Sequence, residues 1–258
     1  MKKNLLLILL ITGYCLLITS SAHAKEYDGV WFMGYNLKSK VMAVPEIRQA
    51  VSNTIDKQYI VKNIVSEEVV PESIVPPTMI GYDPELEASE QDLRLAKILM
   101  NSAGFPINDK RLKNLSLLHT DGVKTRAIAQ KLQADLANIG MKVDLIEMDY
   151  TSQEKWVNEL TSGKHDFFLM GYKAGIEDFF VSPEARSIDS YGLINPLFET
   201  GGSANFTGFS DKLVDKLLAQ LAGINLALQT DRHLKLKQIN QILVKARPVE
   251  VLFYIEKI

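Results

Sequence analysis

The stretch Val30–Val61, VWFMGYNLKSKVMAVPEIRQAVSNTIDKQYIV, decides the fold of this chain. Its first residues are apolar and aromatic, and they end at Asn36, which predicts a buried strand that closes in a turn. Pro45 stands where a first helical position should be, and apolar residues follow it at helical spacing. Asp56 is placed to cap a second short helix. The stretch therefore predicts a strand that leads into two helices.

The chain beyond this stretch alternates predicted strands with predicted helices. Apolar runs predict strands at Leu115–His119, Met141–Met148, Phe167–Met170 and Val249–Ile255. Helical spacing predicts helices near Ser89–Met100, Thr125–Asn138, Thr151–Gly163, Asp211–Leu221 and Asp231–Lys245, with Ser89, Thr151 and Ser210 as N-caps. Strands joined through helices form parallel pairs with right-handed crossovers. The predicted fold class is α/β, with a mixed, mostly parallel sheet flanked by helices.

Two segments break the regular pattern. Val69–Pro84 contains four prolines, which predicts an extended path over the surface. The roughly forty residues after Gly171 are interrupted by glycine and proline, and long irregular segments of this kind in compact domains are usually functional or mobile.

The N-terminal residues carry a secretion pattern. Lys2 and Lys3 precede an apolar run from Leu5 to Leu17, and Ala22-His23-Ala24 supplies the small residues that a signal peptidase requires. The run is shorter than the ~20 apolar residues that span a bilayer comfortably. We expect residues 1–24 to be a signal peptide and residues 25–258 to form one periplasmic domain, with no membrane insertion after cleavage. A retained anchor and lipidation of Cys15 are the alternatives.

Composition and motifs exclude several classes of function. Removal of the first 24 of 258 residues leaves no cysteine, so neither disulfides nor thiolate sites are expected. The remaining 27 basic and 31 acidic residues offer no general attraction to nucleic acid. The four histidines have no metal-ligand spacing, and no serine elbow or phosphate loop occurs. We expect no cofactor, no metal and no enzymatic activity, with a carboxylate dyad at Glu177–Asp178 as the alternative.

Several stretches carry a family resemblance. AKILMNSAGF (Ala96–Phe105), GYKAGIED (Gly171–Asp178) and NFTGFSDKLVDKLL (Asn205–Leu218) follow the opening stretch, and PVEVLFYIEKI (Pro248–Ile258) comes last. In this order they resemble motifs of the family 5 extracellular solute-binding proteins, the peptide, nickel and oligosaccharide receptors of bacterial uptake transporters. The first and last stretches resemble the strands that cross between the two lobes of that family. The resemblance implies a single distal lobe of a type II periplasmic-binding-protein fold, with the first lobe absent.

The resemblance also implies a set of ligand-binding residues. Tyr172 stands where the family has tryptophan and is expected to form an aromatic wall. Asp178 matches the second acidic position of the family, whereas the first, which pairs with the amino group of a peptide, is Gly175 here. Glu177 or Asp178 is the substitute that we expect. Asn205 and Phe206 match a turn beside the cleft.

One of these residues, Asn205, has a structural alternative, and structural roles are also expected for three residues of the opening stretch. For Asn205, bonding to the backbone of its own loop is favoured over ligand contact, and Asn36 is expected to serve a similar structural turn. Trp31 and Phe32 are expected in the core of the crossing strand, or, with the other lobe absent, in an exposed apolar patch.

The resemblance implies a function as a periplasmic component for uptake of an oligopeptide or a similar small polar solute. Its partners would be that ligand and either a separately encoded second lobe or an ABC permease. Two-lobed receptors close on their ligand, so a single lobe predicts weak intrinsic affinity. The alternative function is an interaction or regulatory module that has kept the lobe fold without the ligand.

Overall fold

The computed structural model describes residues 25–174, 189–225 and 228–257. Its elements in chain order are β1 (Tyr27–Tyr35), α1 (Pro45–Ser52), α2 (Lys57–Tyr59), a π-helical turn (Ile60–Val65), α3 (Leu93–Ser102), a 3₁₀ turn (Lys110–Leu112), β2 (Leu115–Thr120), α4 (Val123–Ala137), β3 (Val143–Met148), α5 (Gln153–Thr161), β4 (Phe167–Lys173), α6 (Tyr191–Phe198), α7 (Lys212–Ala222), α8 (Gln229–Ala246) and β5 (Val249–Glu256). The predicted signal peptide and the residues Gly175, Glu177 and Asp178 lie outside the described residues.

The described strands form one mixed sheet in the order β3-β2-β4-β1-β5. β2 is parallel to both β3 and β4, and β1 is antiparallel to both β4 and β5. Four strands therefore point one way, and β1 runs against them. This arrangement confirms the predicted α/β class with a mixed, mostly parallel sheet.

Helices cover both faces of the sheet. Side chains alternate between faces along each strand, so Phe168, Met170 and Tyr172 of β4 enter one core and Phe167 and Leu169 enter the other. On what we call the first face, the core is completed by apolar residues of α5, α6, α7 and α8, among them Trp156, Leu160, Leu193, Leu197, Leu218, Leu236 and Ile239. On the second face it is completed from α1, the π-helical turn, α3 and α4, among them Ile47, Val51, Ile60, Met100, Ile128 and Leu132.

Three predicted helix N-caps are one or more residues from the observed ones. The side chain of Asp92, not Ser89, accepts the cap hydrogen bond of α3. Ser152, not Thr151, caps α5, and Asp211, not Ser210, caps α7. The better placed oxygen lies three residues later for α3 and one residue later for α5 and α7, and an N-cap oxygen has to meet the amide two or three residues on.

The proline-rich segment is buried, so the prediction of a surface path is wrong. Ser73, Ile74 and Val75 are buried, and the Ser73 carbonyl accepts a hydrogen bond from Tyr254 Oη at 3.2 Å. Asn240 Nδ2 of α8 donates to Ser73 Oγ at 3.0 Å. Proline blocks regular pairing but not burial, and the neighbouring β5 and α8 supply the hydrogen-bond partners that buried polar groups need.

The described part of the irregular region after Gly171 contains one helix that the sequence pattern does not predict. α6 includes Pro196, which removes the helical signal from an otherwise apolar run. Its start is fixed by Ser190, whose Oγ donates to the Ile80 carbonyl at 2.6 Å, and by Asp189, which forms a buried ion pair with Arg232 of α8.

Candidate functional site

An open cavity of about 490 Å³ lies at the carboxyl ends of β2 and β4. The loops that follow β2 and β3 form its rim, and α5 forms part of its wall. Its lining residues are Trp31, Thr120, Asp121, Gly122, Tyr150, Trp156, Leu169, Met170, Gly171, Lys173 and Ile255. Ligands of α/β sheets bind outside the carboxyl ends of the strands, so this cavity is the candidate site.

Aromatic rings dominate the lining, and they are fixed in pairs. The Trp31 ring is stacked on Phe253, with centroids 5.8 Å apart and an interplanar angle of 14°. Tyr150 meets Trp156 edge-on at 6.2 Å and 78°. Trp156 is buried, whereas the Tyr150 ring is 53 % exposed. The chain has two tryptophans, and both line this one cavity.

Gly171 lets Trp31 lie against β4. The two residues face each other in the β1–β4 register, and a Cβ on Gly171 would stand 2.8 Å from ring atoms of Trp31. Such a distance is shorter than van der Waals contact, so any side chain at this position would clash with the ring in its present position.

The charges around the cavity are mostly paired. Lys173 Nζ lies 3.0 Å from Asp28 Oδ1. Arg126 in α4 donates through Nε to Glu147 Oε2 at 2.6 Å and through Nη2 to the Asp121 carbonyl at 3.2 Å, which ties the rim loop to β3. The hydrogen bond from Arg126 lowers the pKa of Glu147 below its usual value. Among the described residues the Asp121 carboxylate has no ion-pair partner, so the rim carries a negative charge.

Tyr172 does not line this cavity, so its ring does not form the aromatic wall expected of it here. It alternates with Gly171 and Lys173 along β4, and its ring is 9 % exposed in the first-face core. Its side chain therefore belongs to the first-face core, on the opposite side of β4 from Gly171 and Lys173.

Asn205 and Phe206 also lie away from the cavity. Asn205 Nδ2 donates to the carbonyls of Glu199 and Phe209, both at 2.8 Å, and Oδ1 accepts from Thr207 Oγ1 and the Phe209 amide. These four bonds use both amide hydrogens and both lone pairs. Phe206 packs edge-on against Phe168 at 6.4 Å. Asn205 was open to either ligand contact or bonding within its own loop. The bonds within the loop use its whole hydrogen-bonding capacity.

Asn36 and the described histidines are structural. Asn36 Nδ2 donates to the carbonyls of Gly163 and His165, as expected for a turn. His119 is buried, and its Nδ1 lies 2.8 Å from the Thr120 carbonyl. His165 contacts Glu159 and Ser116, and His233 Nδ1 accepts the amide of Gly81. Within residues 25–174, 189–225 and 228–257, no group of three possible metal ligands occurs.

Three residues of the cavity lining that the sequence did not predict as site residues lie at or just after the ends of strands. Asp121 comes directly after β2, Tyr150 two residues after β3, and Lys173 ends β4. The carboxyl ends of predicted parallel strands were the available signal, because parallel strands bring these positions to one edge. Trp31 was expected in the core, and it is half-buried, with its ring partly in the second-face core and partly in the cavity wall.

Comparison with known proteins identifies the family. The model of the bacterial extracellular solute-binding proteins, family 5, matches residues 16–183, which is more than half of the chain. The chain belongs to this family. Family 5 proteins bind solutes outside the cell membrane, and none of the helices in the described part of this member is both long and apolar enough to cross a bilayer.

Individual family 5 relatives are distant and longer. The oligopeptide-binding protein OppA of Bacillus subtilis is 25% identical over 244 residues, which are 91% of this chain and 41% of OppA. HbpA2 of Haemophilus parasuis superposes with a TM-score of 0.76 at 22% identity, over 90% of this chain and 43% of HbpA2. DppA of Helicobacter pylori, solved in complex with the peptide STSA, gives a TM-score of 0.73 at 20% identity, over 90% and 43%. The likeness to the solved structures shows the fold, and the chain spans about two fifths of the length of these relatives.

Proposed function

We propose that this chain is a peptide-binding component of an ABC-type uptake system and acts in the periplasm. The observation that carries the proposal is the aromatic cavity at the carboxyl ends of the strands in a member of a solute-binding family. OppA is by name an oligopeptide-binding protein, and DppA was solved in complex with a peptide. A peptide is therefore the ligand class to test first.

The proposal includes a partner. The described residues form one sheet with its two helical layers, which is one wall of a clamp, and solute receptors obtain affinity when a second wall closes and excludes water. A separately encoded lobe, or an ABC permease that docks over the cavity, would supply that wall. Secretion would follow from cleavage after Ala24, which mass spectrometry of the periplasmic protein checks through the loss of 24 residues.

Calorimetric titration of the full chain, expressed with its own N-terminal segment, tests the function. Di- to tetrapeptides are compared with mono- and disaccharides of similar size. We expect peptides to bind with dissociation constants of about 1 μM to 1 mM, equivalent to roughly −8 to −4 kcal/mol. Absence of peptide binding at millimolar concentration would contradict the proposal, and nanomolar binding without a partner would contradict the one-wall argument.

A further inference from the structure

The cavity lining also defines which part of a peptide it accepts. We infer that the cavity takes an aromatic side chain of a short peptide, with the peptide amino group directed at Asp121. This inference rests on the proposed function and goes beyond it, because it names the chemical groups that are recognised. Three observations carry it: the rings, the backbone at Gly171 and the charges.

The rings form a surface that is already assembled. Trp31 is held by Phe253 and Tyr150 by Trp156, so neither ring has to be ordered when a ligand arrives. Aromatic side chains lose little conformational entropy on binding and offer both a face and an edge. An aromatic guest gains offset-stacked or edge-to-face contacts here, whereas a methyl group reaches only a fraction of the same surface.

The backbone of β4 sets the depth of the cavity. The Trp31 ring lies directly against Gly171, in the space that a side chain would fill. Alanine at this position would clash with the ring, which would have to move from its present position. The position of the Trp31 ring in the cavity wall therefore depends on a glycine at the strand end.

The charges decide the orientation of the peptide. Asp28 neutralises Lys173, and Glu147 neutralises Arg126, so neither cation is available to a carboxylate. The exposed carboxylate of Asp121 is the remaining charge on the described lining. A peptide carboxylate would be repelled by it, whereas a peptide amino group forms a charge-assisted hydrogen bond.

Tryptophan fluorescence offers a direct readout, because both tryptophans line the cavity. The full chain is titrated with Phe-Gly-Gly, Ala-Gly-Gly and acetyl-Phe-Gly-Gly, and calorimetry confirms each constant. We expect Phe-Gly-Gly to bind about tenfold more tightly than Ala-Gly-Gly, near the upper range for one aromatic contact. We expect acetylation to weaken binding about tenfold through loss of the charged amino group.

Matched variants assign these preferences to residues. Tyr150→Ala should reduce the preference for phenylalanine over alanine to less than about threefold, and Tyr150→Phe should retain it. Tyr59→Ala is the control, since Tyr59 is 46 % exposed on α2 and outside the cavity. Asp121→Asn should remove the difference between the free and the acetylated peptide.

The outcomes separate the inference from the proposed function. Equal binding of Phe-Gly-Gly and Ala-Gly-Gly, or an unchanged preference in Tyr150→Ala, overturns the aromatic assignment while peptide binding stands. An unchanged effect of acetylation in Asp121→Asn overturns the assignment of the amino group. Failure of every peptide to bind overturns the proposed function and this inference together.

Discussion

Neighbouring residues at the end of β4 have opposite roles. Gly171 and Lys173 face the cavity, whereas Tyr172 between them is packed in the first-face core. The pleat of a strand imposes this division, because successive side chains point to opposite faces. A family motif marks the strand end, but the residue that matches its aromatic position is buried, and the rings available to a ligand come from β1 and from the loop after β3.

Tyr172→Ala is expected to destabilise the protein by about 3 kcal/mol, because the ring fills core space that alanine leaves empty. Urea denaturation followed by circular dichroism measures the loss. Tyr172→Phe retains the ring and should cost less than about 1.5 kcal/mol. A loss below about 1 kcal/mol in Tyr172→Ala, accompanied by weaker peptide binding, would show that the ring contacts the ligand and is not a core residue.

The N-termini of α2, α3, α5 and α7 are each capped by a single side chain. Asp211 Oδ1 accepts the amides of Leu213 and Val214 at 2.8 and 3.0 Å. The neighbouring Ser210 Oγ instead contacts Thr200 Oγ1 at 2.9 Å. Sequence placed each cap to within a few residues but could not choose between adjacent oxygens, because the choice depends on backbone angles that the preceding loop sets.

Asp211→Ala should lower the free energy of unfolding by about 1 kcal/mol, since two amides at the start of α7 lose their acceptor. Ser210→Ala is the matched control and should change it by less than about 0.5 kcal/mol. Chemical denaturation of both variants measures the difference. An equal loss in the two variants would contradict the assignment of Asp211 as the cap.

Asp83 links the proline-rich segment to α8, and its ionisation should be visible in stability. Burial raises the pKa of this carboxyl, but hydrogen bonds from Lys237, Gln241 and the Glu85 amide outweigh that effect and leave the pKa below its usual value. The unfolded carboxyl titrates near ~3.9. Because the folded pKa is the lower of the two, the stabilising contribution is complete above the unfolded value and is lost as the pH falls from there through the folded pKa.

Denaturation of the wild type and of Asp83→Asn between pH 3 and pH 7 measures this contribution. The wild type should be the more stable protein near pH 7, and the gap should shrink as the pH falls below about 4. Glu87→Gln, at an exposed carboxylate three residues after this segment, is the control and should leave the pH profile unchanged. A gap that stays constant with pH would show that Asp83 does not stabilise through its charge.

The molecule as a whole shows which properties a sequence can reveal. All five described strands and most of the described helices were predicted, because apolar periodicity is a local property of the chain. Burial of Val69–Pro84 was not, since it depends on partners more than 150 residues away in α8 and β5. The cavity was not predicted either, because its lining residues are also distant from one another in the sequence. Trp31, Tyr150 and Trp156 are brought together by the strand order, in which β1 lies next to β4, and spacing along the chain does not encode that order.

The two cores are joined through one sheet, and we expect them to unfold together. Leu193 belongs to the first-face core and Leu132 to the second, and both are fully buried. Each leucine-to-alanine change should cost about 2–5 kcal/mol. Since β1 and β4 contribute side chains to both cores, either change should lower one shared transition. Thermal unfolding by circular dichroism and by tryptophan fluorescence tests this, with Leu234→Ala at a 60 % exposed position as the control. A separate early transition in either variant would show that one helical layer detaches while the sheet and the other layer remain folded.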